Sequence, residues 1–182
     1  EDYPSLISVV KYHVPTQSFL TAIRVSSTML IGPDFPIALG EGFYVQLSQQ
    51  DQLFFEGTPY NQPLEYQFQP GFNTFGVPNA LVSYTAKTLL PNIPNGIYLV
   101  RYNRQLQSFE TAISVGGNII GADFPISIGE AYFVLVTNDT DTVLKTVSSD
   151  EPDFPRLPYI IYGKLSDSFN GESISATVLT TD

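Results

Sequence analysis

Apolar residues in this chain alternate with polar ones in short runs and do not return at helical spacing over any long window. Its 14 prolines and 13 glycines cut it into segments of about five to eight residues. The runs richest in β-branched and aromatic residues predict strands over 6–12, 19–25, 42–48, 52–56, 64–68, 72–77, 96–103, 108–115, 131–137, 142–147, 159–165 and 174–180. One short helix is expected over 79–90, started by Pro78 and Asn79 and stopped by Pro91. The expected class is therefore all-β, with Pro/Gly-rich turns between strands of a sandwich or barrel.

The pattern is written twice. Tyr12-His-Val-Pro-Thr-Gln17-Ser-Phe-Leu-Thr-Ala-Ile23 returns as Tyr102-Asn-Arg-Gln-Leu-Gln107-Ser-Phe-Glu-Thr-Ala-Ile113, and Ile31-Gly-Pro-Asp-Phe-Pro-Ile-Ala-Leu-Gly-Glu-Gly-Phe-Tyr-Val45 returns as Ile120-Gly-Ala-Asp-Phe-Pro-Ile-Ser-Ile-Gly-Glu-Ala-Tyr-Phe-Val134. Across these windows 16 of 27 positions are identical. Two tandem small β-sandwich or barrel modules are expected, over 1–68 and 69–157, with an extra strand segment over 158–182. The copies are unequal: 71–90 precedes the second with no counterpart before the first, so the first lacks an opening strand while the tail carries two strands beyond the second. Tandem duplication builds length, surface or valency, which favours a structural or binding protein over an enzyme.

Within each copy, Asp-Phe-Pro-Ile followed by Gly-Glu reads as a turn. Asp34 and Asp123 are expected to accept backbone N–H groups, Pro36 and Pro125 to fix φ, and Gly40 and Gly129 to allow positive φ, with Phe35 and Phe124 pointing into the core. In the strand that follows, Phe43-Tyr44 or Tyr132-Phe133, alternation should bury one ring and expose the other.

Composition narrows function by exclusion. The net charge is −10 with 8 Lys plus Arg and no basic cluster, so nucleic acid is not an expected partner. No apolar run reaches the length of a membrane span, and no membrane insertion is expected. The chain has no cysteine, which removes thiolate chemistry and most zinc sites. An acidic, Thr-, Ser-, Asn- and Tyr-rich chain poor in Lys fits an extracellular or cell-surface location. The only histidine, His13, aligns with Asn103 and does not recur, so it reads as a solvent-facing strand residue. Glu41 and Glu130 recur beside Gly and read as turn residues rather than an acid or base. Neither Asn138-Asp-Thr-Asp141 nor Asp150-Glu-Pro-Asp153 has EF-hand spacing, and both read as solvated loops rather than calcium sites. No catalytic residue, metal or cofactor is expected, and Asn138 is a candidate glycosylation site.

Two resemblances add to this. Gly71-Phe-Asn-Thr-Phe-Gly-Val-Pro78, Tyr98-Leu-Val-Arg-Tyr102, Gln107-Ser-Phe109, Phe124-Pro-Ile-Ser-Ile-Gly-Glu130 and Tyr132-Phe-Val134 resemble a small β module repeated in large secreted and cell-surface proteins of bacteria and archaea. Phe72 stands where those modules usually carry Trp, and Ala131 replaces a glycine. The tail, Ile161-Tyr-Gly163-Lys-Leu-Ser-Asp167 to Val178, resembles the opening of carboxypeptidase-regulatory-like, immunoglobulin-like domains. Both imply an extracellular scaffold. The expectation is a non-enzymatic subunit of a surface fibre, layer or adhesin stalk that polymerises by strand complementation, with Tyr159, Ile160, Ile161, Tyr162, Leu165, Ile174 and Val178 as subunit-interaction residues. Contacts with neighbouring surface proteins or glycans fit the same setting. The alternative is a polysaccharide-binding or accessory module of a larger secreted protein.

Overall fold

The computed structural model describes residues 5–49, 63–77 and 83–143. The chain is all-β, and every strand pair is antiparallel. The first copy contributes β1 (Leu6–His13), β2 (Ser18–Arg24), β3 (Leu30–Ile31) and β4 (Phe43–Leu47), which form one sheet in the order β3-β2-β1-β4. Next come β5 (Glu65–Phe68), β6 (Gly71–Gly76) and a short helix α1 (Ala86–Leu89). The second copy contributes β7 (Gly96–Asn103), β8 (Ser108–Val115), β9 (Asn118–Gly121) and β10 (Ala131–Val136), followed by β11 (Thr140–Val143). The second sheet runs β6-β10-β7-β8-β9, and β11 pairs with β5 in a two-stranded sheet.

The two segments of like sequence also pair in like hydrogen-bond register. In copy one Val9 pairs with Val45 and Lys11 with Phe43; at the equivalent positions of copy two Leu99 pairs with Val134 and Arg101 with Tyr132. The register slips at the same place in both, between Leu6 and Ser8 in β1 and between Leu135 and Val136 in β10. The hairpin turns are also alike. Gln17 and Gln107 both adopt φ 49, and each side-chain oxygen accepts the hydroxyl of a strand tyrosine, Tyr12 at 3.1 Å and Tyr102 at 3.0 Å. A conformation that costs a non-glycine residue energy is thus held in place by its own side chain.

The two sheets meet across aromatic rings. Tyr44 stacks on Phe133 at 5.7 Å, and these are equivalent residues of the two copies. Tyr12 packs edge-on against Phe133 at 5.4 Å, and its equivalent, Tyr102, packs against Tyr44 at 6.5 Å. A Cβ on Gly42 would lie 2.9 Å from the Cβ of its own equivalent, Ala131. The copies therefore face one another about a local twofold axis that passes between these pairs.

The opposite face of the second sheet carries the main core: Phe75, Leu99, Ala112, Tyr132 and Val134 pack with Tyr66 and Phe68 of β5 and with Ala86, Leu89, Leu90 and Ile93 from the α1 segment. Thr85 starts that helix, its N–H donating to Thr88 Oγ1 at 2.8 Å. The segment docks on the turn of copy two, where Ala86 N–H donates to Phe124 O and Ile126 N–H to Tyr84 O.

Several expectations need correction. Of the helix expected over 79–90, residues 79–82 lie outside the described residues; over the rest it is Ala86–Leu89 followed by a 3-10 turn (Leu90–Asn92), because its last turn runs into Pro91. β3 and β9 were not expected; they are short strands that follow the β2 and β8 hairpins. Gly40 and Gly129 do adopt positive φ, 80° and 75°. Asp123 does accept a backbone N–H, from Lys87, and with the Thr85 hydroxyl beside it the carboxyl is held below its usual pKa. Phe124 is buried as expected but Phe35 is half-exposed, since no described segment covers the first copy's turn as the α1 segment covers the second. Tyr132 and Phe133 are both buried, not one of them, because β10 has a sheet on one face and the core on the other. The expected strands over 52–56, 159–165 and 174–180 lie outside the described residues.

Candidate assembly site

β10 and β4 are equivalent strands with different surroundings. β10 lies between β7 and β6, whereas β4 is paired with β1 on one side and, among the described residues, with nothing on the other. An edge strand presents unpaired N–H and C=O groups to whatever can align with it. The side of β4 with no described partner corresponds to the side of β10 on which β6 lies.

How β6 is held shows what such a neighbour meets. One of its edges pairs with β10 along its whole length, from Gly71 opposite Val136 to Gly76 opposite Ala131. Its other edge is gripped by the first copy. Gln17 behaves as a short piece of strand: its Nε2 donates to Phe72 O at 2.9 Å, and its Oε1 accepts Phe72 N–H at 2.7 Å. At the far end, Gly76 N–H donates to Gly40 O at 2.7 Å, and a Cβ on Gly76 would lie 2.7 Å from the carbonyl oxygen of Glu41. Only glycine lets the backbones approach this closely.

The second copy carries the counterparts of the residues that make this grip. Gln107, Gly129 and Glu130 are the counterparts of Gln17, Gly40 and Glu41. A narrow cleft lies there, with Phe43 and Tyr44 on one side and Tyr102, Arg104, Glu130 and Ala131 on the other. It is the place that β6 fills on the opposite side of the molecule. Burial raises the pKa of Tyr44 and Tyr102, with Tyr102 adding to the effect on Tyr44.

The glutamates of the two equivalent turns take different partners. Glu41 pairs with Lys11 at 2.7 Å and accepts Ala38 N–H at 3.0 Å. Glu130 instead accepts the Tyr132 hydroxyl at 2.5 Å. His13 ends β1 with its Nδ1 2.7 Å from Thr16 Oγ1. Among the described residues no three acidic or histidine side chains converge as metal ligands. No helix among the described residues is long and apolar enough to cross a membrane.

Asn138 sits exposed in the β10–β11 turn, while Thr140 of the same motif is buried, its hydroxyl bonded to Pro94 O and Asn138 O. The seven expected subunit-interaction residues, Tyr159, Ile160, Ile161, Tyr162, Leu165, Ile174 and Val178, lie outside the described residues, as does 150–153. Sequence reasoning did not single out Gln17, which holds Phe72 by its side-chain amide; its recurrence as Gln107 within Gln-Ser-Phe was the available signal. No protein-family model, curated protein or solved structure matches the chain.

Proposed function

We propose that this protein is a non-enzymatic structural subunit of an extracellular or cell-surface fibre, layer or stalk, assembled by β-strand complementation. The tail of one copy adds a strand beside β4 of the next. The observation that supports this reading is that, among the described residues, β10 has a strand on each side while β4 has one on one side only. Main-chain bonds along such an edge each contribute about 0.5–1.5 kcal/mol, and a head-to-tail contact that does not close makes a filament. Exposed apolar residues of the first copy support the same reading. Ile37 is 68% exposed, whereas its counterpart Ile126 is covered by the α1 segment. The glycan-binding alternative has less support: Phe19 and Phe109 are exposed, but each packs edge-on against a tyrosine and neither extends a flat platform.

The test is removal of residues 158–182. The shortened chain should fold and remain monomeric at concentrations where the full chain forms polymers in sedimentation velocity. Equal polymerisation of both chains removes the donor role.

A further inference from the structure

The tail can be given a register, an inference that rests on the donor reading above. Phe72-Asn-Thr-Phe75-Gly76 of β6 is an aromatic residue, two intervening residues, a second aromatic and a glycine. Tyr159-Ile-Ile-Tyr162-Gly163 repeats that pattern. No other glycine in the chain directly follows an aromatic residue. At Gly76 the glycine is demanded by the Glu41 carbonyl, and the counterpart of that carbonyl beside the open edge of β4 belongs to Glu130.

We propose that residues 159–163 of a second copy of this chain occupy the cleft beside β4 in the register of β6, clamped by Gln107. Gly163 then lies opposite Gly42, Tyr162 opposite Phe43, Ile161 opposite Tyr44, Ile160 opposite Val45 and Tyr159 opposite Gln46, by the pairing that β6 makes with β10. Gly163 N–H donates to Gly129 O as Gly76 does to Gly40 O, and the Gln107 amide takes the N–H and C=O of Tyr159 as Gln17 takes those of Phe72. Gln107 is already set for this, with the backbone conformation of Gln17 and the hydroxyl of Tyr102, the counterpart of Tyr12, on its oxygen. Alternation places Ile160 and Tyr162 on the face of Phe43 and Val45, the face that Phe75 and Asn73 take in β6. Leu165, Ile174 and Val178 fall outside this register.

The 182-residue chain tests the register directly, because it contains no cysteine of its own. The double variant Gln46→Cys with Tyr159→Cys should form disulfide-linked oligomers under mild oxidation, and Gln46→Cys with Tyr162→Cys should not. Gly163→Val should raise the concentration at half-assembly about tenfold, the equivalent of about 1.4 kcal/mol, at an unchanged thermal midpoint of the monomer. Gln107→Ala should raise it several-fold, while Gln17→Ala lowers thermal stability and leaves assembly affinity unchanged.

Cross-linking through Tyr162→Cys instead, or normal assembly of Gly163→Val by a protein whose assembly still needs residues 158–182, overturns the register and leaves the donor reading standing. Assembly that persists without the tail overturns the donor reading itself. A disulfide within one chain for the Tyr159→Cys pair keeps the register and overturns assembly between chains.

Discussion

Lys11 and Arg101 occupy the same position in the two copies and choose different partners. The cross-strand neighbour of Arg101 is Glu110, bonded at 2.6 Å, while the equivalent neighbour of Lys11 is Leu20, so Lys11 turns to Glu41. Glu130 is then released to bind the hydroxyl of Tyr132, a hydroxyl its counterpart Phe43 lacks. The hydrogen bond from Arg101 holds the Glu110 carboxyl below its ordinary pKa. A depressed folded value means this contribution is present above the usual carboxylate range and lost as pH falls through the folded pKa. Glu110→Gln should therefore cost about 1 kcal/mol at neutral pH and flatten the acid limb of a pH–stability curve measured in urea; an unchanged acid limb would count against the pairing. Gly76→Ala forces a methyl against the Glu41 carbonyl and should destabilise by about 1–3 kcal/mol, read as a lower urea midpoint at unchanged slope.

At the scale of elements, the turn between β5 and β6 depends on Asn73, which is buried and uses its amide three times: Oδ1 accepts Gln69 N–H at 3.0 Å, and Nδ2 donates to Gln69 O at 2.7 Å and Gly71 O at 3.0 Å. Asn73→Ala leaves these backbone groups without their partner and should cost about 1–3 kcal/mol, with faster amide exchange at Gln69; Asn73→Asp, which loses both donated bonds, should not rescue it. Strands were the legible part of the sequence. β7 and β8 fall where alternation and flanking turns place them, since both copies repeat the same signal. β3 and β9 were not legible, because two to four residues that continue a hairpin carry too little period to register. The exposure of Phe35 and the burial of both rings in β10 were not legible either, since they depend on which segment covers each copy, a long-range fact that a repeated local sequence does not contain.

For the molecule as a whole, the sheets are joined by rings related by the local twofold, and Phe133 touches Tyr12, Phe19, Tyr44, Phe72 and Phe109. Phe133→Ala should cost about 3–5 kcal/mol, more than the equivalent Tyr44→Ala, because Phe133 is the more buried of the two. The proposed consequence of the unequal copies lies at the outer edge of β4, which among the described residues is paired on one side only. Amide hydrogen exchange across Phe43–Leu47 tests that consequence most directly. In the full chain at polymerising concentration, the outward-facing amides of β4 should become protected, and in a chain lacking residues 158–182 they should exchange as an open edge does. Equal exchange in the two chains, in assembled and dilute samples alike, would contradict strand complementation at β4.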